Sequence, residues 1–431
     1  AAAAILGASL HWVAMGHFSS LDMGLAFFLM LAICALAIAQ RDPATPREQR
    51  TWMIVAWAAA ALAVLSKGLV GIVLPGATLV LYSLWQRDWR LLGRLHFGIG
   101  VPVFAAIVAP WFLIVGERNP EFYRFFFIHE HFERFLTKVH GREGPWWYFI
   151  PILIAGFIPW TLALPAAIRA GLRSDGARFQ PTRWLLVWAA VVFVFFSVSS
   201  SKLASYTVPM IPALALLAAP ALLHIGTSSL RRHWGVVAIV GIAATIYAPF
   251  LPRHANPETP AALYAAYAPW IAGGGLALAV GCIVGIRLAC RGRRLAAITA
   301  TAVGGLAFSQ CLLSGHEALS PVFSSYHIAR TVRPLLAPDT RLFTVDTYDH
   351  TLPFYLGRTM TMVAYQDELA AGIRTEPQKF LPDYETFERA WDAAPHAIAL
   401  MNPREFETFK LRGLPMAEVA RDPRRVIVTK P

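Results

Sequence analysis

The feature that most constrains this chain is the recurrence of apolar runs about as long as a bilayer is thick. Ten lie near 22–39, 52–65, 68–85, 98–116, 147–168, 184–198, 203–225, 234–251, 269–289 and 295–313. A spanning helix needs about 20 residues, because lipid leaves no partner for exposed backbone groups. The pattern predicts a polytopic membrane protein of about ten helices. The runs at 52–65 and 184–198 are short. Both adjoin polar turns, as helices do that stop at a cavity rather than at bulk water.

Composition agrees. The chain is 56% hydrophobic and 15% charged, with a mean hydropathy of +0.50. Soluble domains carry about 25% charged residues. The four cysteines (Cys34, Cys282, Cys290 and Cys311) have no metal spacing and imply no disulfide framework. The run at Ala1–Leu10 lacks a basic leader region. It reads as the end of a helix whose upstream partners lie outside this sequence.

Charge gives the helices a direction. Residues 1–313 hold 24 Lys and Arg against 11 Asp and Glu, whereas 314–431 hold 14 against 15. The basic excess therefore belongs to the membrane part, which argues for lipid-facing loops and against a nucleic-acid partner. Sixteen of those 24 fall in alternate loops, at Arg41–Arg50, Arg87–Arg94, Arg169–Arg183, Arg231–Arg232 and Arg287–Arg294. The positive-inside rule puts these loops in the cytoplasm. Asp22, Ser66-Lys67, the loop 117–146, Ser197–Tyr206, residues 252–268 and the C-terminal segment then share the outer side.

From about residue 320 the pattern changes. Strand-like runs at Arg341–Asp346, Thr359–Ala364, His396–Met401 and Arg425–Thr429 alternate with helix-like stretches at Asp383–Asp392 and Pro403–Leu411. This predicts an all-α polytopic membrane domain over 1–319, then a small α/β domain over 320–431. The second carries no phosphate loop and no nucleophile elbow, so a lid or docking role is expected.

Candidate chemistry gathers at the outer boundary. Asp22 is either a helix cap or an acid at a cavity mouth. Lys67 is either snorkelling or a compact ammonium suited to a phosphate. In the aromatic loop, His129 and Glu133 are four apart, as are Glu130 and Arg134. On an interfacial α-helix each pair shares a face, leaving Arg134 as a surface ion pair or a two-pronged phosphate grip. His129 and His131 are candidate metal ligands, a weak signal without a third. Lys202 and Tyr206, also four apart, are expected on one face of a starting helix, as interface anchors or phosphate ligands. Together these residues suit an anionic lipid headgroup.

The motifs His17-Phe18-Ser19-Ser20-Leu21-Asp22, Leu65-Ser66-Lys67-Gly68, His129–Phe135, Gly144-Pro145-Trp146-Trp147-Tyr148 and Ser201–Tyr206 resemble those of the bacterial aminoarabinose transferases of lipid A. These are GT-C membrane glycosyltransferases related to protein O-mannosyltransferases. Leu352-Pro353-Phe354-Tyr355-Leu356-Gly357-Arg358 is similar to a motif of that family's periplasmic domain. The resemblance implies a GT-C-like fold in the bacterial inner membrane with a periplasmic C-terminal domain. It implies inverting transfer of a sugar, such as 4-amino-4-deoxy-L-arabinose, from undecaprenyl phosphate to lipid A or another envelope acceptor. It assigns the lipid phosphate to Lys67, Arg134 and Tyr206, a second acidic role to Asp22, and to His129 a part in binding a divalent metal. It also places the family's first outer loop, with its acid, upstream of Ala1. A lipid transporter or flippase, or a non-catalytic scaffold, is the competing reading. Against transport, the runs 98–116, 234–251 and 269–289 contain no Asp, Glu, Lys or Arg until Arg287.

Overall fold

The computed structural model describes residues 1–133, 144–173, 176–366 and 369–431, with backbone only at 129–133 and 371. These residues form two compact units, one of 1–245 with 273–313 and one of 246–272 with 314–431.

The membrane unit contains α1 (Leu21–Gln40), α2 (Pro46–Lys67), α3 (Val70–Gln86), α4 (Phe97–Arg118), α5 (Pro181–Val198) and α6 (Ile211–His224). It also holds most of α7 (Thr227–Tyr247), α8 (Ala261–Cys290) and α9 (Arg294–Gly315). Among the described residues, eight helices are long and apolar enough to cross a membrane, and α3 is a shorter apolar helix. The protein is therefore multi-pass. The run at 147–168 departs from the expected single span. It is a pair of helices, Phe149–Gly156 and Thr161–Leu172, bent by 106°. Pro159, at the break, has no N–H to continue the first helix.

Helix α2 is longer than its apolar run because its start is capped. Thr45 Oγ1 accepts from Glu48 N at 3.3 Å and Glu48 Oε2 accepts from Thr45 N at 3.0 Å, with Pro46 in the first turn. It stops at Gly68, whose φ of +83° suits a residue without Cβ. Three residues on, a Cβ at Gly71 would lie 2.5 Å from Val64 N, so α3 packs backbone-close on α2.

Lipid tails are as apolar as leucine, so helices associate through small residues and hydrogen bonds. The buried faces of α1 and α2 are accordingly alanine-rich, with Ala32, Ala35, Ala39, Ala56, Ala59 and Ala63. From α5 the fully buried Trp184 and Trp188 donate to Ile33 O at 3.1 Å and Pro209 O at 2.9 Å. Three of the arginine-rich loops meet at one end of this bundle. Arg178 bonds Asp42 through its backbone N at 3.0 Å and Asp88 through Nε at 2.9 Å, and Arg183 bonds Gln86. Loops placed on one side by charge counting are thus joined there.

The second unit is built on a six-stranded sheet of β1 (Arg341–Val345), β2 (Thr361–Val363), β3 (Phe380–Leu381), β4 (Ala397–Met401), β5 (Ala417–Arg421) and β6 (Val426–Thr429). Its order is β3-β2-β1-β4-β6-β5, with β3, β2, β1 and β4 mutually parallel and β6 antiparallel to β4 and β5. One face packs Phe343 and Val345 against Phe387, Trp391, Phe406 and Phe409 of α10 (Tyr384–Ala393) and α11 (Pro403–Leu411). The other packs Leu342, Ile398, Leu400 and Ile427 against Ile328, Val332 and Leu352. Arg425, 6% exposed, ties the unit together. It bonds Asp422 at 2.7 Å, Asp349 at 2.5 Å and Ser325 Oγ at 2.6 Å, and the carbonyls of Pro321 at 2.9 Å and Ser324 at 3.1 Å.

Candidate functional site

A cavity of about 760 Å³ opens within the membrane unit where α1 begins, α2 ends and α5 gives way to irregular chain. Leu25, Val64, Val73, Trp111, Phe126 and Phe195 make an apolar wall, and Asp22, Ser66, Lys67, Ser199, Ser201, Ser205 and Tyr206 a polar one.

Each polar side chain is placed by a local break in helix. Asp22 lies in the first turn of α1, where Ser20 is the cap residue and makes no side-chain capping bond. Asp22 is 7% exposed, and its carboxylate forms an ion pair with Lys67 instead of capping. The positive end of the α1 dipole favours that carboxylate. Lys67 is the last residue of α2 and its ammonium lies 4.6 Å from the centre of the Tyr206 ring. Tyr206 sits in the 3₁₀ turn Ala204–Met210, its ring 4.9 Å from that of Phe196. His11, buried, meets the same turn through Thr207 at 3.3 Å.

Asp22, Lys67 and Tyr206 therefore converge, though 184 positions separate the first from the last. Lys202 does not join them. Residues 199–203 are not helical, so the expected shared face with Tyr206 does not form. The Lys202 ammonium donates to Ser199 O at 2.7 Å, Ser197 O at 2.8 Å and Phe196 O at 3.4 Å. It closes the carbonyls left open where α5 ends. It is 6% exposed, and burial pulls its pKa below the ordinary lysine value. The irregular wall Ser199–Tyr206 is held by this strap.

The aromatic loop also differs from expectation. Arg124–Glu133 is helical but wound as a π-helix, so pairing by fours from an ordinary α-helix does not carry over. Its Phe126 lines the cavity and Tyr123 Oη donates to Phe112 O at 3.0 Å. Arg134 and the His129 side chain lie outside the described residues. Among the described residues, no three His, Cys, Asp or Glu are grouped to hold a metal.

The cavity suits an anion carrying an apolar tail. Ammonium and hydroxyl donors stand at one wall, and the walls around them are lipid-like. Sequence reasoning found the three polar residues through their position at helix ends. It missed the apolar wall residues Val73, Trp111 and Phe126, because a lipid-facing and a cavity-facing apolar side chain read alike.

Comparison with known proteins follows the same outline. Residues 328–430 match the aminoarabinose transferase C-terminal domain family, and residues 1–126 the dolichyl-phosphate-mannose-protein mannosyltransferase family. The undecaprenyl phosphate-alpha-4-amino-4-deoxy-L-arabinose arabinosyl transferase of Pseudomonas aeruginosa is 34% identical over 256 residues, 57% of this chain and 46% of that protein. A Pseudomonas fluorescens relative of the same description is 34% identical over 258 residues, again 57% of this chain and 46% of the relative. The matched region thus spans about half the length of these curated relatives. The crystal structure of ArnT from Cupriavidus metallidurans bound to undecaprenyl phosphate superposes with a TM-score of 0.93 at 38% identity, covering 100% of this chain and 78% of that one. The apo structure of that protein gives 0.91.

Proposed function

Because the chain belongs to the aminoarabinose transferase family of GT-C membrane glycosyltransferases, we propose that it moves 4-amino-4-deoxy-L-arabinose from undecaprenyl phosphate to lipid A or another envelope acceptor. The reaction runs with inversion on the periplasmic face of the bacterial inner membrane. The observation that carries this reading is the Lys67 ammonium, held by Asp22 and faced by Tyr206 at the wall of a lipid-like cavity.

In the proposed reaction the acceptor oxygen attacks the anomeric carbon as the bond to the polyprenyl phosphate breaks. Negative charge grows on the departing phosphate. Lys67 and the Tyr206 hydroxyl donate to it, with Arg134 from the aromatic loop as a third donor. Donors fixed in a water-poor site need no reorganisation as charge develops, and one such donor contributes on the order of 3 kcal/mol. Asp22 keeps the ammonium in place before the lipid arrives and is the acid of this wall. A lipid A phosphate acceptor is already anionic, whereas a hydroxyl acceptor needs a general base.

The arginine-rich ends support the proposed sidedness. Helix α9 starts at Arg294, beside Arg287–Arg293, and the sheet unit follows its other end. The site residues are tested by assaying the whole protein in inner-membrane vesicles, with mass spectrometry of lipid A as readout. Lys67→Ala is expected to abolish transfer while the protein still folds; near-normal turnover would overturn the assignment. Transport without transfer would instead favour the flippase reading.

A further inference from the structure

The motif Leu352–Arg358 has no part in the proposed reaction, yet it carries the most exposed aromatic side chain of the sheet unit. Phe354 is 78% exposed. Its ring stands 5.3 Å from Tyr355, which stands 5.4 Å from Tyr326. The Ser324 hydroxyl reaches the Tyr355 hydroxyl at 3.4 Å, next to Phe323, which is 57% exposed. Leu335, 50% exposed, extends the strip. Two guanidiniums flank it: Arg330 lies 6.0 Å from the Tyr326 ring and Arg333 donates to the Tyr355 carbonyl. The short helix Tyr326–Val332 buries Ile328, Ala329 and Val332 and leaves Tyr326, His327 and Arg330 outside. That is an amphipathic face with aromatic and basic residues on its open side.

We propose that this strip lies on the membrane surface, its aromatics in the interfacial layer and Arg330 and Arg333 on anionic phospholipid headgroups. A candidate apolar span of Arg294–Phe323 ends at the residue where the strip begins. Ring contacts and the Ser324–Tyr355 bond connect that residue's neighbourhood to Phe354. Aromatic side chains with basic neighbours are the composition of membrane–water interfaces. A contiguous exposed apolar strip, unlike a lone exposed side chain, marks an interaction or membrane site. A protein partner is the competing occupant. The continuity with a span and the two arginines favour lipid.

The test uses the full chain in nanodiscs of phosphatidylglycerol with phosphatidylcholine, or of phosphatidylcholine alone. Native cysteines are replaced by alanine and a nitroxide is attached at Phe354→Cys. Leu411→Cys, at a residue 89% exposed in the same unit, is the aqueous control, and Ile239→Cys, 66% exposed on α7, the membrane control. The Phe354 label is expected to collide with oxygen in preference to a water-soluble nickel chelate, as the Ile239 label does and the Leu411 label does not. Replacing Arg330 and Arg333 by Gln is expected to lower the docked fraction relative to the undocked about fivefold per residue with phosphatidylglycerol. It is expected to change little in phosphatidylcholine. A Phe354 label that reads like Leu411 overturns the proposal. A label shielded from both reagents overturns it in favour of a protein partner. Equal effects of the arginine changes in both discs overturn the headgroup assignment.

Discussion

Lys67 in the membrane unit and Arg425 in the sheet unit are both cations paired with aspartate away from bulk water, and they are finished in opposite ways. Arg425 is 6% exposed and spends its donors on two carboxylates, a hydroxyl and two carbonyls. Nothing is left for a ligand. Lys67 has one carboxylate and one aromatic face as its partners among the described residues, its side chain is 30% exposed, and it lines a cavity. A buried ion pair is weak evidence for stability unless its remaining hydrogen-bonding capacity is filled. The difference fits a structural role for the Arg425 pair and supports the ligand role proposed for the Lys67 pair.

The largest effect is expected where the network is complete. Arg425→Met leaves Asp349 and Asp422 buried without their cation, a loss of about 3–5 kcal/mol. Hydrogen exchange of the β1, β4 and β6 amides in the whole protein should show it as lost protection. Unchanged protection would erase the contrast. Lys67→Met should do the reverse. Asp22 loses its cation but lines an open cavity, so thermal stability falls by less than in Arg425→Met, while lipid A modification falls about 10²–10³-fold, the usual cost of one charge-stabilising donor. A variant that unfolds instead would make Lys67 structural as well.

Lys202 sharpens the contrast because sequence reasoning grouped it with Lys67 and geometry groups it with Arg425. Its ammonium meets three carbonyls at the end of α5. Lys202→Met is expected to cost about 1–3 kcal/mol through those stranded acceptors. Transfer should then track the folded fraction. Weakened donor-lipid affinity at unchanged stability would return Lys202 to the phosphate grip.

What was legible in the sequence follows the range of the signals. Nine of the ten apolar runs became helices, six of them within a few residues of where hydropathy put them and three begun six to eight residues earlier, as at the capped start Thr45–Glu48. The exception, 147–168, is broken at Pro159 inside an unbroken apolar run, where hydropathy is blind to the missing donor. Four strands were legible because they are buried and β-branched or apolar. β3 has two residues, and β5 is an edge strand of Ala-Glu-Val-Ala-Arg, so neither carries a pattern. Residue type and expected side of the membrane pointed to Asp22, Lys67 and Tyr206, which line one cavity. Lys202 shared both and was still misgrouped, because the direction of a side chain leaving a helix end depends on backbone that has no periodicity.

The smallest effect is a titration. Burial pushes the Asp349 carboxyl up, but the Thr351 hydroxyl, the Leu352 amide and Arg425 outweigh it and leave its pKa below the ordinary aspartate value. A carboxyl with a depressed folded value contributes stability above its unfolded pKa, about 3.9, and loses it as pH falls through the folded one. Protection of the sheet amides should therefore be flat between about pH 7 and 5 with respect to this group, then decline below about pH 4. Asp349→Asn cannot titrate, so it should begin less protected and show a shallower decline. An equally steep decline in that variant would assign the acid sensitivity to other carboxylates. The contrast with Lys67 would then rest on geometry and mutagenesis, without a pH signature of its own.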